Sequence, residues 1–107
     1  MTYQTHHATT IDTIGTYFQG ELSGVYYDTL CWYFGDPDVG DDYKVSVEWR
    51  VRFDDGLVAT VYDWKTAPSY CGPNGVDAPD QTEWNIGGLS PEVVTRIQTL
   101  VQTAVAQ

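Results

Sequence analysis

The chain has 107 residues, enough for one domain with a modest core and no need of metal or disulfide support. Hydrophobic residues make up 42% and charged residues 19%, which excludes a disordered chain. Fifteen acidic side chains against five basic ones leave a net charge of -10. A field of that sign disfavours direct binding to nucleic acid or anionic membrane and favours basic partners, including the nucleic-acid-binding grooves of other proteins.

Met1 to Thr10 is polar and lacks the apolar centre of a signal peptide, so it reads as a flexible arm in which the adjacent His6 and His7 diverge. Ile11 to Leu22 fits two periods. Ile11, Ile14 and Phe18 have helical spacing, whereas Ile14, Thr16, Phe18 and Gly20 alternate. Its threonines, aromatic rings and glycines favour a strand. Ser23-Gly24 then opens a short helix that carries Thr29-Leu30 and Tyr33-Phe34 on repeating turns. Gly35 suits its C-terminal end, and Pro37 stands where a helix cannot continue. Asp36 to Asp42 reads as an acidic turn.

Lys44 to Phe53 alternates cleanly. Val45, Val47, Trp49, Val51 and Phe53 point one way, and Lys44, Ser46, Glu48, Arg50 and Arg52 the other. Asp54-Asp55-Gly56 is a hairpin turn with Gly56 able to take the left-handed conformation. On the return strand, Leu57 to Lys65, the register places Val51 against Ala59, Trp49 against Val61 and Val47 against Asp63. The other face pairs Arg52 with Val58, Arg50 with Thr60, Glu48 with Tyr62 and Ser46 with Trp64. A slip of one residue would bury the arginines, so the pattern itself selects this register. Thr66 to Gln81, with Pro68, Gly72-Pro73, Gly75 and Pro79, is a long loop. Thr82 to Ile86 is a short strand ended by Gly87-Gly88. Ser90-Pro91-Glu92 starts a helix whose apolar stripe runs through Val93, Ile97, Leu100 and Ala104, broadened by Val94, Val101 and Val105.

These elements predict an α+β fold: an antiparallel sheet of about four strands, a short helix after the first strand, and a C-terminal helix on the apolar face. Trp49, Val51, Phe53, Leu57, Ala59 and Val61 are expected in the core, with Ile97, Leu100 and Val101 against them. No run approaches the roughly 20 apolar residues of a membrane span. Cys31 and Cys71 are expected as free thiols in a reducing compartment.

Four of the five cations lie between Lys44 and Lys65. Lys44, Arg50 and Arg52 share a face with Tyr62 and Trp64, a combination that suits an anionic, nucleotide-like ligand: guanidinium forks for phosphate, rings for stacking. The same residues also suit a solvated sheet face with Glu48 paired to an arginine. Asp36, Asp38, Asp41 and Asp42 crowd one turn. Gly40 stands where a calcium loop needs a ligand, so no metal is expected there. Strand alternation sends Glu48 and Asp63 to opposite faces, against an acid–base pair. Neither cysteine has a motif partner, Gly87-Gly88 lacks a phosphate-loop lysine, and no cofactor is expected. Tyr26, Tyr27, Trp32, Tyr33 and Phe34 crowd one short helix. Not all can face the core, and Tyr26, Trp32 and Tyr33 are candidates for a partner or self-association surface.

Phe34-Gly35-Asp36-Pro37, the stretch Tyr43-Lys44-Val45-Ser46-Val47-Glu48-Trp49 leading to Phe53-Asp54-Asp55-Gly56, then Tyr62-Asp63-Trp64-Lys65 and Trp84-Asn85-Ile86-Gly87-Gly88 carry a resemblance. In this order they resemble a group of small bacteriophage proteins, especially those of actinobacterial phages. The resemblance implies a phage gene product that acts in the host bacterial cytoplasm and is dispensable for the virion. It implies no activity. The expectation is a non-enzymatic accessory protein that binds and inhibits a host protein through its acidic and aromatic surface, with a component of host defence as the specific expectation. The alternative expectation is sequestration of an anionic ligand on the hairpin face.

Overall fold

The computed structural model describes residues 2–7, 9–41 and 43–105, with side chains described as far as residue 102. Asp42, and the side chains of Ala104 and Val105 assigned to the helix stripe, therefore lie outside the described residues. The fold is α+β. Its antiparallel sheet has six strands: β1 (Tyr3–Thr5), β2 (Tyr17–Ser23), β3 (Asp38–Val39), β4 (Val47–Phe53), β5 (Val58–Tyr62) and β6 (Glu83–Gly88). The helices are α1 (Tyr27–Phe34), the single turn α2 (Pro68–Cys71) and α3 (Glu92–Val105). The sheet order is β1-β4-β5-β6-β2, and β3 also pairs with β4.

The central hairpin has the register its alternation predicts. Trp49 faces Val61, Val51 faces Ala59, Arg50 faces Thr60 and Glu48 faces Tyr62. Gly56 has φ +92°, and its N–H donates to Phe53 O at 2.9 Å, closing the turn. Trp49, Val51 and Val61 are fully buried with Leu22, Leu30, Ile86, Val93, Ile97 and Val101. That core lies between one face of the sheet and the two longer helices. Leu57 and Leu100 are only partly buried at its margin.

The expected four strands become six because two short strands, β1 and β3, add to the outer edge of β4. The N-terminal segment is not a flexible arm: Tyr3, Gln4 and Thr5 pair with Phe53, Arg52 and Val51. Tyr3 makes edge contacts with Phe34 and Phe53, ring centroids 5.6 and 6.3 Å away, and its hydroxyl donates to Tyr33 O. This covers backbone groups that an open edge would leave unpaired. His6 and His7 converge instead of diverging. Their rings lie 4.2 Å apart and both meet the Asp36 carbonyl, while His6 Nδ1 accepts the Arg50 N–H. The acidic turn likewise contributes β3, with Asp38 opposite Glu48.

Other boundaries also move. β2 starts at Tyr17, so Ile11 to Thr16 is not strand, and α1 starts at Tyr27 without a side-chain cap. β4 starts at Val47, which leaves Lys44 and Ser46 outside it and takes Ser46 opposite Trp64 out of the ladder. Gly87 and Gly88 continue β6 instead of ending it. A Cβ on Gly88 would come 2.8 Å from Val93, and one on Gly20 would come 2.9 Å from Val94. The missing side chains let α3 lie close on β6 and β2. Thr66 to Gln81 is structured by α2 and two 3-10 turns, Gly72–Asn74 and Ala78–Asp80. Buried Gln81 closes it, donating to Thr66 Oγ1 and to Val76 O. No described helix is long and apolar enough to cross a membrane.

Candidate functional site

The topology decides what happens to the cations. β1 lies at one edge of the sheet and β2 at the other, so the chain between them must cross a face. It crosses the one that carries Arg50. Ile11 is buried there and its carbonyl accepts from Arg50 Nη1 at 3.3 Å, while Arg50 Nε donates to Glu48 at 3.0 Å. Arg52 Nη2 donates to Gln4 Oε1 of β1 at 2.7 Å. Lys44 and Lys65 set their ammonium groups 5.9 and 5.5 Å from the Trp64 ring centre, and Lys65 also meets Tyr70 at 5.6 Å. Arg96 makes two bonds to Asp55, one to Glu92, and lies over Phe53 at 5.1 Å. Each of the five cations has a partner inside the fold.

The five residues proposed for an anionic ligand are therefore not gathered at one point. Tyr62 and Trp64 line one groove with Phe18, Glu21 and Asn85. Arg52 lines a different depression, with Thr2, Gln4 and Asp54. Arg50 is held between Glu48 and the crossing segment. Sequence reading found the Glu48–Arg50 pairing but not the crossing chain, because the alternation over Ile11 to Leu22 suggested a strand that in fact begins only at Tyr17.

The acidic and aromatic candidates divide differently. Trp32 is 84% exposed on the outer side of α1. Asp28, one turn earlier, shares its face, and Asp36 follows the helix end. Burial pushes the Cys31 thiol up. The Tyr27 hydrogen bond opposes this, and Asp36 and Asp28 add to it, which places both carboxylates close to this helix. Burial likewise raises the Tyr27 phenol, and Cys31, Asp36 and Asp28 reinforce the shift. A thiol held in its neutral form is a poor nucleophile. Tyr26 is exposed at the start of α1, and Tyr33 is half-buried against Phe34. Asp38 is exposed on β3. Asp41 instead organises its loop: its carboxylate accepts from Val45 N and Tyr43 N, each at 2.9 Å, and these bonds hold it below the usual carboxylate range. Cys31 and Cys71 are both free thiols.

Sequence reasoning missed the part played by Asp63. It is fully buried, and it accepts from Ser46 N at 2.8 Å, Ser46 Oγ at 2.6 Å and Val47 N at 3.1 Å. Its place on the apolar side of the register was the available signal. An acid there needs donors, and the nearest unpaired backbone N–H groups are those at the start of β4. Among the described residues no group of three or more His, Cys, Asp or Glu side chains is placed to hold a metal ion. No protein-family model matches the chain, and no curated protein or solved structure matches it.

Proposed function

We propose that this chain is a non-enzymatic accessory protein that binds and inhibits another protein by laying its acidic, aromatic helix surface on a basic one. The observation that carries this reading is Trp32, 84% exposed on α1 beside Asp28 and Asp36, on a chain whose cations all have partners within the fold. An exposed tryptophan with acidic neighbours has the chemistry of an interface anchor: the ring supplies apolar burial, and the carboxylates steer a cationic partner. Tyr26, exposed at the start of the same helix, extends the surface. Asp38, Asp41 and Asp42 join the acidic set by sequence, with Asp38 opposite Glu48 on the sheet face away from α1.

The resemblance to actinobacterial phage proteins supports a host protein, met in the bacterial cytoplasm, as the partner, with a component of host defence as the specific proposal. The alternative of an anionic nucleotide-like ligand on Lys44, Arg50, Arg52, Tyr62 and Trp64 is less well served, since those cations are already engaged and spread over separate parts of the sheet. The test is a pull-down from actinobacterial lysate with the parent chain and Trp32→Ala side by side. A protein with a basic surface, retained by the parent at low salt and lost from Trp32→Ala, is the expected result. A captured protein that ignores both salt and Trp32 contradicts the reading.

A further inference from the structure

The face of the sheet away from α1 and α3 carries a groove that the helix surface does not use. It measures about 490 Å³ and is lined by Phe18 and Glu21 of β2, Asn85 of β6, Tyr62 of β5 and Trp64 just beyond it. Strand register gathers these residues: Glu21 lies opposite Asn85, and Asn85 opposite Tyr62. The Tyr62 and Trp64 rings stand 6.4 Å apart at 84°, so two aromatic walls meet near a right angle. Phe18, half exposed, lines the same groove. Glu21 is the one ionisable acid in the lining, and it makes no ion pair with a described residue.

That geometry selects the shape and sign of an occupant. A flat guanidinium or a nucleobase stacks on one ring and meets a perpendicular ring only by its edge. A flexible alkyl stem packs against both rings at once and carries a compact ammonium to the carboxylate beyond them. Lys44 and Lys65 already set their ammonium groups near Trp64, outside the groove lining. Their repulsion drives a further ammonium away from the Trp64 end and towards Glu21. An anion would meet Glu21 and the field of a chain carrying -10.

We infer that this groove binds a lysine side chain of a polypeptide partner, its four-carbon stem along the aromatic walls and its ammonium against Glu21. The stem buries apolar surface against the rings while the charged head stays hydrated beside the carboxylate. The site lies across the sheet from Trp32, so it stands or falls separately from the helix surface.

Tryptophan indole N–H signals in a proton–nitrogen correlation spectrum test it, with Trp64→Phe identifying the Trp64 signal. Trp49 and Trp84 serve as internal references because their indoles donate within the fold, to Gly35 O and Val25 O. The probes are Nα-acetyl-lysine methylamide, adenosine monophosphate and sodium chloride at matched ionic strength. The lysine probe is expected to move the Trp64 signal saturably while the references stay still, and Glu21→Gln is expected to weaken it about two- to fivefold. Glu21 is exposed and its side chain makes no hydrogen bond or ion pair with a described residue, while its backbone stays in the ladder opposite Asn85, so the variant keeps the fold. Movement with the nucleotide alone, no movement beyond the salt control, or an unchanged affinity in Glu21→Gln overturns the inference.

Discussion

Asp63 is an acid in a position that alternation assigns to the apolar side, and the fold uses it as an anchor. Three donors at the start of β4 converge on its carboxyl group, where the β4–β5 ladder has stopped supplying partners. Removing it leaves two backbone N–H groups and a hydroxyl without acceptors in a buried place. Asp63→Ala is expected to cost about 2–4 kcal/mol in denaturant unfolding, within the range for breaking a buried hydrogen-bond network. A loss no larger than that of a surface aspartate would show that water replaces the carboxyl group freely. Tyr3 makes a similar point in the N-terminal segment. Tyr3→Ala removes contacts with Phe34 and Phe53 and the bond to Tyr33 O. It is expected to cost about 2 kcal/mol, less than a fully buried aromatic because the ring is only half-buried. No change in the unfolding midpoint would restore the flexible arm.

Among the elements, α3 is fixed to the central hairpin at its turn. Arg96 reaches from the helix to Asp55 with two bonds of 2.8 and 2.7 Å, and this pairing holds the Asp55 carboxyl at about 2. An ordinary unfolded aspartate titrates near 3.9. The folded value is the lower one, so the clamp stabilises fully above the unfolded value and is lost as pH falls through about 2. The difference in thermal midpoint between the parent chain and Asp55→Asn is expected to be largest near pH 6 and to close as pH approaches 2. A difference independent of pH would assign the effect to the turn backbone. The central hairpin was legible in the sequence because a strict two-residue period and an Asp-Asp-Gly turn fix both register and face. α3 was legible from its stripe and its Ser-Pro-Glu start. β1 and β3 were not, because strands of three and two residues carry no period. They form only because β4 offers an edge, which is a tertiary fact.

At the scale of the whole molecule, the fold keeps its few cations for itself. A chain of net charge -10 cannot neutralise its carboxylates broadly. It places Arg50, Arg52 and Arg96 where each ties one strand or helix to another segment. The cationic, ring-bearing face was legible as a pattern, but its availability was not. Arg52 meets Gln4 and Arg50 meets Ile11 O, and both partners come from a segment far away in sequence. What remains outward is acid and ring, with Trp32 the most exposed of the aromatic residues. The decisive measurement is calorimetric titration of the protein captured by this chain against the parent, Trp32→Ala and Arg50→Ala. The account predicts that Trp32→Ala loses about thirtyfold or more in affinity, as an interface anchor does, while Arg50→Ala binds like the parent. Loss on Arg50→Ala with Trp32→Ala unaffected would contradict it, and would return function to the cationic face.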